Sequence, residues 1–532
     1  MSLNRRDFLK AGAVAAVGAV APPPLLVRLG RSAEPVPPLD DPRVKELALR
    51  ALDAARAAGA AYADVRLTHT WVRGINSKSS IGNTESLAVG VRALVSGYWG
   101  FASSAIWSPD EVARLGREAV GQASTNALGK PRTVDLGPAP VVRDGQWQTP
   151  VRIDPFTVPV EEVLDYLQSL VIYTSLFPGA SAFLDCTFTK QEKIFASTAG
   201  SYLAQRLYRT QGTMSVDYQQ GHQRGTLGVG ALRPAARGWE HLLDAPLREA
   251  VPRLIAELRE DFALPKKTVD VGRYDLVADA PSMAGLLANT IGSATQIDRA
   301  LGYEANAGGT SFLNDPLAML GSYRIGAPIL TVVANRSEPT GTATVKWDDE
   351  GIAPDDFPLV DQGILVDFQT TREQAAWLAP WYAKRGRPAR SHGCADAPSA
   401  LEAAMQHMPN LTLTPGREAL DFDDLVAGVA DGIAVKALRV DMDFQHLNGT
   451  GYTSRFYEIK KGKRVAMLRA AGILFRAPEL WKNLTALGGP RSLAWVGGSE
   501  PKGEPTQTTS FSVGAVPGVF KDVTLIDVTR KA

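Results

Sequence analysis

The pattern of apolar and polar positions predicts an α/β arrangement for the first part of the chain. Residues 41–58 repeat apolar side chains at helical spacing, and a glycine follows, as it often does at the end of a helix. Residues 62–67 alternate with the period of two that favours a strand, and residues 87–102 contain two further runs of this kind. The pair Ser108-Pro109 has the N-cap and first-turn residues of another helix. Together these elements predict helices packed on an antiparallel sheet.

Strand patterns dominate the later part of the chain. Helices are predicted at residues 160–176 and 239–258, but most runs after residue 266 have the length and alternation of strands. Gly363 and Gly462 each separate two such runs, as the turn of a β-hairpin does. The predicted fold class is therefore α+β: an N-terminal α/β domain with an antiparallel sheet, followed by a C-terminal β-rich domain of barrel or sandwich type.

Length and composition indicate a folded chain with more than one domain. At 532 residues it exceeds what one hydrophobic core usually supports. We place the N-terminal domain at residues 42–262 and the C-terminal domain at residues 263–532. Lys+Arg number 57 and Asp+Glu 56, so the balanced overall charge argues against a nucleic-acid partner, which normally needs a basic face, without excluding a local basic patch. The two cysteines, Cys186 and Cys394, are expected to be buried free thiols.

The N-terminus has the pattern of an export signal. The run Asn4-Arg5-Arg6-Asp7-Phe8-Leu9-Lys10 resembles the twin-arginine motif, and an Ala/Gly-rich stretch follows that is too short to span a membrane. We assign residues 1–33 to a twin-arginine signal peptide and residues 34–41 to a linker. The mature protein is expected to be periplasmic in a cell with two membranes.

Several segments, in order along the chain, resemble those of the TldD/PmbA metallopeptidase family. None is specific alone, but the ordered set spans nearly the whole mature chain. The segments are Ala63-Asp64-Val65, Val89-Gly90-Val91-Arg92-Ala93, Gly100-Phe101-Ala102, Asp298 to Asn306, Gly309-Thr310-Ser311-Phe312, Asp348-Asp349-Glu350-Gly351, Thr370-Thr371-Arg372-Glu373, Met408-Pro409-Asn410-Leu411, Pro415-Gly416 and Lys502-Gly503-Glu504-Pro505.

The same resemblance implies that the family's metal-binding residues are absent. In metallopeptidase members a His-Glu-x-x-x-His helix directly precedes the run that matches Asp298 to Asn306, and a Cys near the C-terminus is the third ligand. Aligned on these runs, the two His positions are Ala288 and Ser293, the Glu position is Asn289 and the Cys position is Glu500. Catalytic zinc usually has three protein ligands, so we predict no metal, no catalytic residue and no zinc cofactor. Five residues on a regular helix are also about 140° apart, so ligands at 288 and 293 would require a distorted helix.

Other residues were considered as a replacement site. The run His392-Gly393-Cys394-Ala395-Asp396 contains three potential ligands, but such a cluster is more often a polar turn. Asp441 and Asp443 are spaced to share one face of a strand, where solvated carboxylates are the simpler interpretation. His222 is interpreted as a surface turn residue. The sequence contains no nucleophile elbow, P-loop or dinucleotide-binding fingerprint, and it identifies no substrate-binding residue.

Two functions are compatible with this pattern, and a purely structural role is a third. The first is a metal-free pseudoenzyme that binds peptide or unfolded protein segments and acts as the partner subunit of a TldD-type protease, in a homo- or hetero-oligomer. The alternative is an active metallopeptidase, engaged in proteolysis through a rearranged site, so the resemblance leaves enzymatic activity open.

Overall fold

The computed structural model describes residues 38–127 and 134–529. The predicted signal peptide, residues 1–33, and the first half of the predicted linker, residues 34–37 of 34–41, lie outside these ranges. The chain divides into two units, Met1–Val44 and Lys45–Ala532. In the described part of the first unit, Arg43 forms an ion pair with Asp41 at 2.8 Å. All contacts discussed below lie within the second unit.

Helices form at most of the places that the periodicity predicts. Ser108 caps one of them by accepting a hydrogen bond from the Glu111 backbone N–H at 3.3 Å. The single helix predicted at residues 239–258 is wrong, because the chain breaks at Ala245-Pro246 and forms two helices; the proline ring cannot donate the backbone hydrogen bond that a continuous helix requires. The α-helices are α1 Pro42–Ala57, α2 Pro109–Asn126, α3 Val160–Ser175, α4 Glu240–Asp244, α5 Leu247–Ala263, α6 Ala280–Leu287, α7 Ile297–Ala300, α8 Pro316–Met319, α9 Arg372–Trp377, α10 Ala379–Ala383, α11 Phe422–Ala427 and α12 Ala477–Lys482.

A seven-stranded sheet occupies the N-terminal part. Its strands are β1 Tyr62–Asn76, β2 Ile81–Val95, β3 Tyr98–Ser104, β4 Gly145–Gln148, β5 Ala180–Ser197, β6 Tyr202–Gln220 and β7 Gln223–Gly228. They lie in the order β3-β2-β1-β5-β6-β4, and β7 pairs with β6. All pairs are antiparallel except β4 with β6. The predicted antiparallel sheet is thus confirmed, although its strands are longer than the alternation indicates.

The C-terminal part contains a ten-stranded, a six-stranded and a two-stranded sheet. Their strands are β8 Lys266–Thr268, β9 Gly272–Ala278, β10 Val332–Asn335, β11 Phe357–Asp361, β12 Ile364–Leu365, β13 Ala395–Asp396, β14 Met405–Gln406, β15 Asn410–Leu413, β16 Asp431–Val435, β17 Arg439–Met442, β18 Asn448–Tyr452, β19 Phe456–Lys460, β20 Lys463–Arg469, β21 Ala471–Arg476, β22 Leu484–Leu487, β23 Ala494–Lys502, β24 Gln507–Ala515 and β25 Gly518–Asp527. Both predicted hairpins form, and their glycines, Gly363 and Gly462, have φ values of 78° and 72°, which glycine adopts without steric cost.

The predicted α+β class is confirmed, and the large C-terminal sheet curls into a half-barrel. The largest apolar core lies in the C-terminal part and includes α6 together with the buried faces of the ten- and six-stranded sheets. A separate core lies between the N-terminal sheet and helices α3, α4 and α5. The domain boundary between residues 262 and 263 stays a prediction.

Candidate functional site

Helix α6 is followed by a π-helical turn that begins at Ala288, the residue aligned with the family's first His. The turn spans Ala288–Gly292, and the Ser293 backbone N–H donates to the Ala288 carbonyl, five residues earlier. The Ser293 Oγ hydroxyl donates to the same carbonyl at 3.2 Å. A bond of this span brings residues 288 and 293 onto one side of the helix, which a regular α-helix would not do. The distortion expected from the sequence is therefore present, and Gly292 packs so closely that a Cβ there would lie 2.8 Å from Leu411 Cδ1.

The side chains of Ala288, Asn289 and Ser293 either pack in the apolar core or donate hydrogen bonds to the helix backbone. Ala288 is buried in the apolar core and has no donor atom. The Asn289 amide donates to the Gly285 carbonyl at 2.9 Å, and Ser293 is bonded to Ala288. The resemblance aligns these three residues with His, Glu and His, but the only side-chain ligand atoms they offer are the neutral oxygens of Asn289 and Ser293.

Glu500, at the position of the family's Cys, is buried on strand β23 among cationic groups. Its Oε2 accepts the Met408 backbone N–H at 2.8 Å, and its Oε1 lies 3.4 Å from the Arg299 guanidinium and accepts from the Gln296 amide. Burial alone would raise the pKa of Glu500, but His407, Lys502 and Arg299 outweigh burial and hold this pKa well below its ordinary value. The residue at this position is thus an ionised carboxylate already matched with cations.

Lys502, two residues further along β23, has a fully satisfied and fully buried ammonium group. Its Nζ donates to Gln296 Oε1 at 2.8 Å and to Gln406 Oε1 at 2.9 Å, and it forms an ion pair with Asp298 at 2.7 Å. Gln296 and Asp298 follow the π turn directly, so Lys502 fixes that segment to the β23 strand. The match of Lys502 and Asp298 to family segments therefore has a structural explanation.

Unpaired polar atoms surround Glu500. Of the five buried side-chain atoms without a hydrogen-bond partner in the described residues, four belong to this neighbourhood: His407 Nδ1 and Nε2, Gln507 Oε1 and Thr509 Oγ1. Thr509 and Gln507 face Glu500 and Lys502 across the β23–β24 pair. His407 Nδ1 lies 3.5 Å from Glu500 Oε2, without hydrogen-bond geometry. Such buried orphan groups are rare in folded proteins and mark this region as distinct.

His446 connects Glu500's surroundings to the π turn. Its Nδ1 lies 3.3 Å from the Asn289 carbonyl, and its Nε2 lies 3.3 Å from the Arg299 guanidinium. Burial and the Arg299 charge both lower the pKa of His446. Sequence reasoning missed His407 and His446, because each is far in sequence from the residues it faces; the only nearby signal was the Met408-Pro409-Asn410 motif beside His407.

The residues at the four family positions do not fit a zinc ion. A catalytic zinc usually has three protein ligands from Cys, His, Asp or Glu, whereas Ala288 has no donor, Asn289 and Ser293 offer only neutral oxygens, and Glu500 is matched by Arg299. Within residues 38–127 and 134–529, no three His, Cys, Asp or Glu side chains come together in a way that could hold a metal ion.

The acidic turn at residues 348–351 forms a second buried charge cluster. Asp349 contacts Arg66 at 2.8 Å and Lys193 at 2.6 Å, and Glu350 contacts Arg92 at 3.2 Å. These three cations come from β1, β5 and β2 of the N-terminal sheet. The turn therefore attaches the N-terminal sheet to the C-terminal part through matched charges.

The three potential ligands in residues 392–396 point into different networks. His392 lies between Asp355, 2.9 Å from its Nδ1, and Asp367, 3.3 Å from its Nε2. Burial alone would lower the pKa of His392, but the two carboxylates outweigh burial and raise this pKa to about 9. Cys394 is a buried thiol, and burial raises its pKa to about 12. Asp396 pairs instead with Lys193 and Arg336, so these residues serve structure rather than a common ligand.

The remaining candidates are the carboxylates of Asp441 and Asp443, the His222 imidazole and the two cysteine thiols. Asp441 lies on β17, but Asp443 follows the end of that strand and caps a turn, accepting the Leu447 backbone N–H at 2.8 Å. The two carboxylates are therefore not paired on one strand face. His222 is exposed in the turn between β6 and β7, as interpreted from the sequence, and Cys186 and Cys394 are buried free thiols, as expected.

Comparisons with known proteins agree on one fold and one family. Residues 271–516 match the family model of the PmbA/TldA metallopeptidase C-terminal domain. A metalloprotease of Methanocaldococcus jannaschii is 24% identical over 427 residues, covering 77% of this chain and 86% of that protein. A TldE structure from Thermococcus kodakarensis superposes with a TM-score of 0.65 at 12% identity, covering 91% of this chain and 99% of that one. A proposed modulator of DNA gyrase from Thermotoga maritima gives 0.67 at 14% identity, covering 91% and 100%.

The fold and the degenerate helix define a metallopeptidase-related protein of two-part α+β architecture. The family model covers the C-terminal part of the chain, and the chain as a whole is similar to TldD/PmbA-type proteins. Residues 2–22 match the twin-arginine translocation signal, which implies export by that pathway. Of the helices in the described ranges, none combines the length and apolar character needed to cross a bilayer.

Proposed function

We propose that this protein is a metal-free peptide-binding partner subunit of a TldD-type protease. The observation that carries the proposal is the contrast at the π turn. The backbone that would align positions 288 and 293 is present, but Ala288 has no donor atom and Ser293 has only a neutral hydroxyl. Glu500 in turn is matched by Arg299 rather than left open. Such a site keeps its frame without the groups that activate water.

Two open strand edges support the peptide-binding part of the proposal. Within the described residues, β17 pairs only with β18, and β23 pairs only with β24. Both edge strands pack against α6, and β17 also packs against the π turn. An extended peptide can add to such an edge through backbone hydrogen bonds, independent of its sequence. Phe444, 60% exposed in the turn after β17, offers an apolar contact beside that edge.

Co-expression with a paralogue that retains His-Glu-x-x-x-His tests the proposal. We expect the two chains to elute together in size-exclusion chromatography and the paralogue's peptidase rate to rise when this chain is present. Phe444→Ser should reduce binding of an unstructured peptide to the complex, whereas Ile172→Ser should not, since Ile172 is similarly exposed, at 65%, on the distant helix α3. A chain that stays monomeric beside such a paralogue and leaves its rate unchanged would contradict the proposal.

Elemental analysis separates the proposal from the alternative of an active metallopeptidase with a rearranged site. We expect the purified chain to contain no stoichiometric zinc and to leave unstructured peptides uncut on its own. About one tightly bound zinc per chain, together with peptidase activity that a chelator abolishes, would favour the alternative.

We further propose that the exported protein resides in the periplasm. Arg5 and Arg6 lie in the segment that matches the twin-arginine signal. Changing both to Lys should leave the precursor in the cytoplasm, as judged by fractionation and immunoblotting. Normal export of this double variant would contradict the assignment.

A further inference from the structure

A turn rich in unpaired cations follows helix α10. Lys384, Arg385 and Arg387 are all exposed, and none forms an ion pair with a described residue. By contrast, the next cation, Arg390, is paired with Asp355. Because the whole chain has 57 basic and 56 acidic residues, this local excess of positive charge is a property of the turn and not of the composition.

The backbone holds these cations in place. The N–H groups of Arg385 and Arg387 donate to the Tyr382 carbonyl at 2.9 and 3.0 Å, and the N–H of Gly386 donates to Ala383 at 3.0 Å. Gly386 has a φ of 64°, a conformation that glycine allows after a helix end. The three cations are therefore presented on an ordered turn.

Aromatic and apolar side chains lie beside the same turn. The Arg385 guanidinium stacks on the Trp381 ring, 3.0 Å from its centroid. One helix earlier, Trp377 stacks on Tyr303 with their ring centroids 5.1 Å apart, and Tyr303 is 66% exposed. Leu317, 46% exposed, belongs to α8, and Gly321 just after α8 lies against Trp381 and Arg385.

We propose that this basic–aromatic patch, formed by Lys384, Arg385, Arg387, Tyr303 and Leu317, docks on an anionic phospholipid bilayer, while the buried Trp381 supports Arg385 from beneath. Tyr rings prefer the headgroup region of a bilayer, and clustered Lys and Arg side chains are drawn to anionic headgroups. Exposed apolar side chains next to unpaired cations match that boundary, whereas a purely acidic partner would use the cations alone. The export signal takes the chain across a membrane, so a lipid surface is close to where the protein is released.

Vesicle sedimentation tests this proposal. The chain should bind vesicles of phosphatidylcholine mixed with phosphatidylglycerol and not vesicles of pure phosphatidylcholine, and added salt should weaken the binding. Replacing Lys384, Arg385 and Arg387 together by Gln should lower the partition coefficient about fivefold per charge, or roughly a hundredfold in total. Adding Tyr303→Ser to the triple variant should lower the partition coefficient further, and this extra loss should not depend on salt concentration.

The matched control is Arg117→Gln, Arg143→Gln and Arg417→Gln in one chain. These three exposed arginines also lack an ion pair with a described residue and lie elsewhere on the surface, so the control removes the same charge. All variants keep the same N-terminal region, and thus any lipid affinity of that region. Binding reduced equally in both triple variants, or absent from anionic vesicles at low salt, would overturn the proposal. Capture by polyglutamate without vesicle binding would also overturn it, in favour of an acidic protein partner.

Discussion

The protein has two buried charge clusters at segments that resemble those of the TldD/PmbA family, and their polar groups are paired to different degrees. In the acidic turn, Asp349 contacts Arg66 and Lys193, and Glu350 contacts Arg92, so each of these carboxylates has a cation. Around Glu500, by contrast, His407 and Thr509 keep buried polar atoms without partners.

The difference suits a structural role for the acidic turn and the proposed degenerate site for the Glu500 region. A buried charge without a partner costs several kcal/mol in typical proteins, so a cluster that only joins two parts of a fold is expected to be complete. Incomplete hydrogen bonding is more typical of places where a protein acts on something else. Four predictions test this contrast.

The largest effect is expected from restoring the family residues around Glu500. A chain with Ala288→His, Asn289→Glu, Ser293→His and Glu500→Cys should change from no stoichiometric zinc to about one zinc per chain, because the π turn already aligns positions 288 and 293. Elemental analysis of the purified variant is the measurement. The same chain with Glu500 retained is the control and should bind zinc less tightly. Absence of zinc from a folded quadruple variant would mean that the backbone frame has been lost as well.

The acidic turn should be sensitive to the loss of one cation. Arg92→Met leaves Asp64 and Glu350 buried without their guanidinium partner, and we expect the free energy of unfolding to fall by about 3–5 kcal/mol. Chemical denaturation measures this change. Arg114→Met, which removes an exposed arginine paired with Glu111 and Glu118, should have little effect. If the two variants lose similar amounts of free energy of unfolding, the buried ion pairs of the acidic turn stabilise the fold no more than an exposed ion pair does.

The protonated His392 imidazole should stabilise the fold, and the free energy of unfolding should fall at alkaline pH as this proton is lost. Its pKa is raised from 6.5 to about 9 by Asp355 and Asp367. A raised pKa in the folded state stabilises the protein fully below pH 6.5, and this contribution, roughly 3 kcal/mol, is lost as pH rises through 9. Denaturation at pH 6 and pH 9 should therefore show a drop in the wild type that His392→Gln removes. His222→Gln, in the exposed β6–β7 turn, should keep the wild-type drop.

Glu500 should give the opposite dependence on pH and the smallest effect. Because its folded-state pKa is depressed, the carboxylate stabilises the protein above its ordinary pKa of about 4, and this contribution is lost as pH falls further. Glu500→Gln should therefore cost about 1–3 kcal/mol at pH 7 and progressively less below pH 4. A cost that is constant across this range would mean that the charge of Glu500 does not matter to its neighbours.

Local patterns in the sequence predicted much of the fold and little of the site's contacts. Helix α2 begins at the predicted Ser108 cap, and the hairpins at Gly363 and Gly462 form, since each depends on residues close in sequence. The predicted helix at residues 239–258 failed at Pro246, because the residue before it, Ala245, has extended backbone, although the second helix accommodates Pro252.

The site depends on strand register, which the sequence does not reveal. The resemblance located Ala288, Asn289, Ser293 and Glu500, and helix geometry indicated a distortion between 288 and 293. Glu500 lies beside His407 and Arg299 because β23 is placed next to the segment that follows the π turn. No periodicity in the chain specifies that placement, so these partners became visible only in three dimensions.

The π turn has a consequence for the phase of everything that follows it. The wider turn shifts the rotation of later residues by about 100° compared with the same helix one residue shorter. The helix ends before Gln296, whose backbone is extended, and the chain then places Gln296, Asp298 and Arg299 against Glu500 and Lys502. Deleting one residue such as Thr290 would therefore change the direction in which the chain leaves the helix toward Gln296.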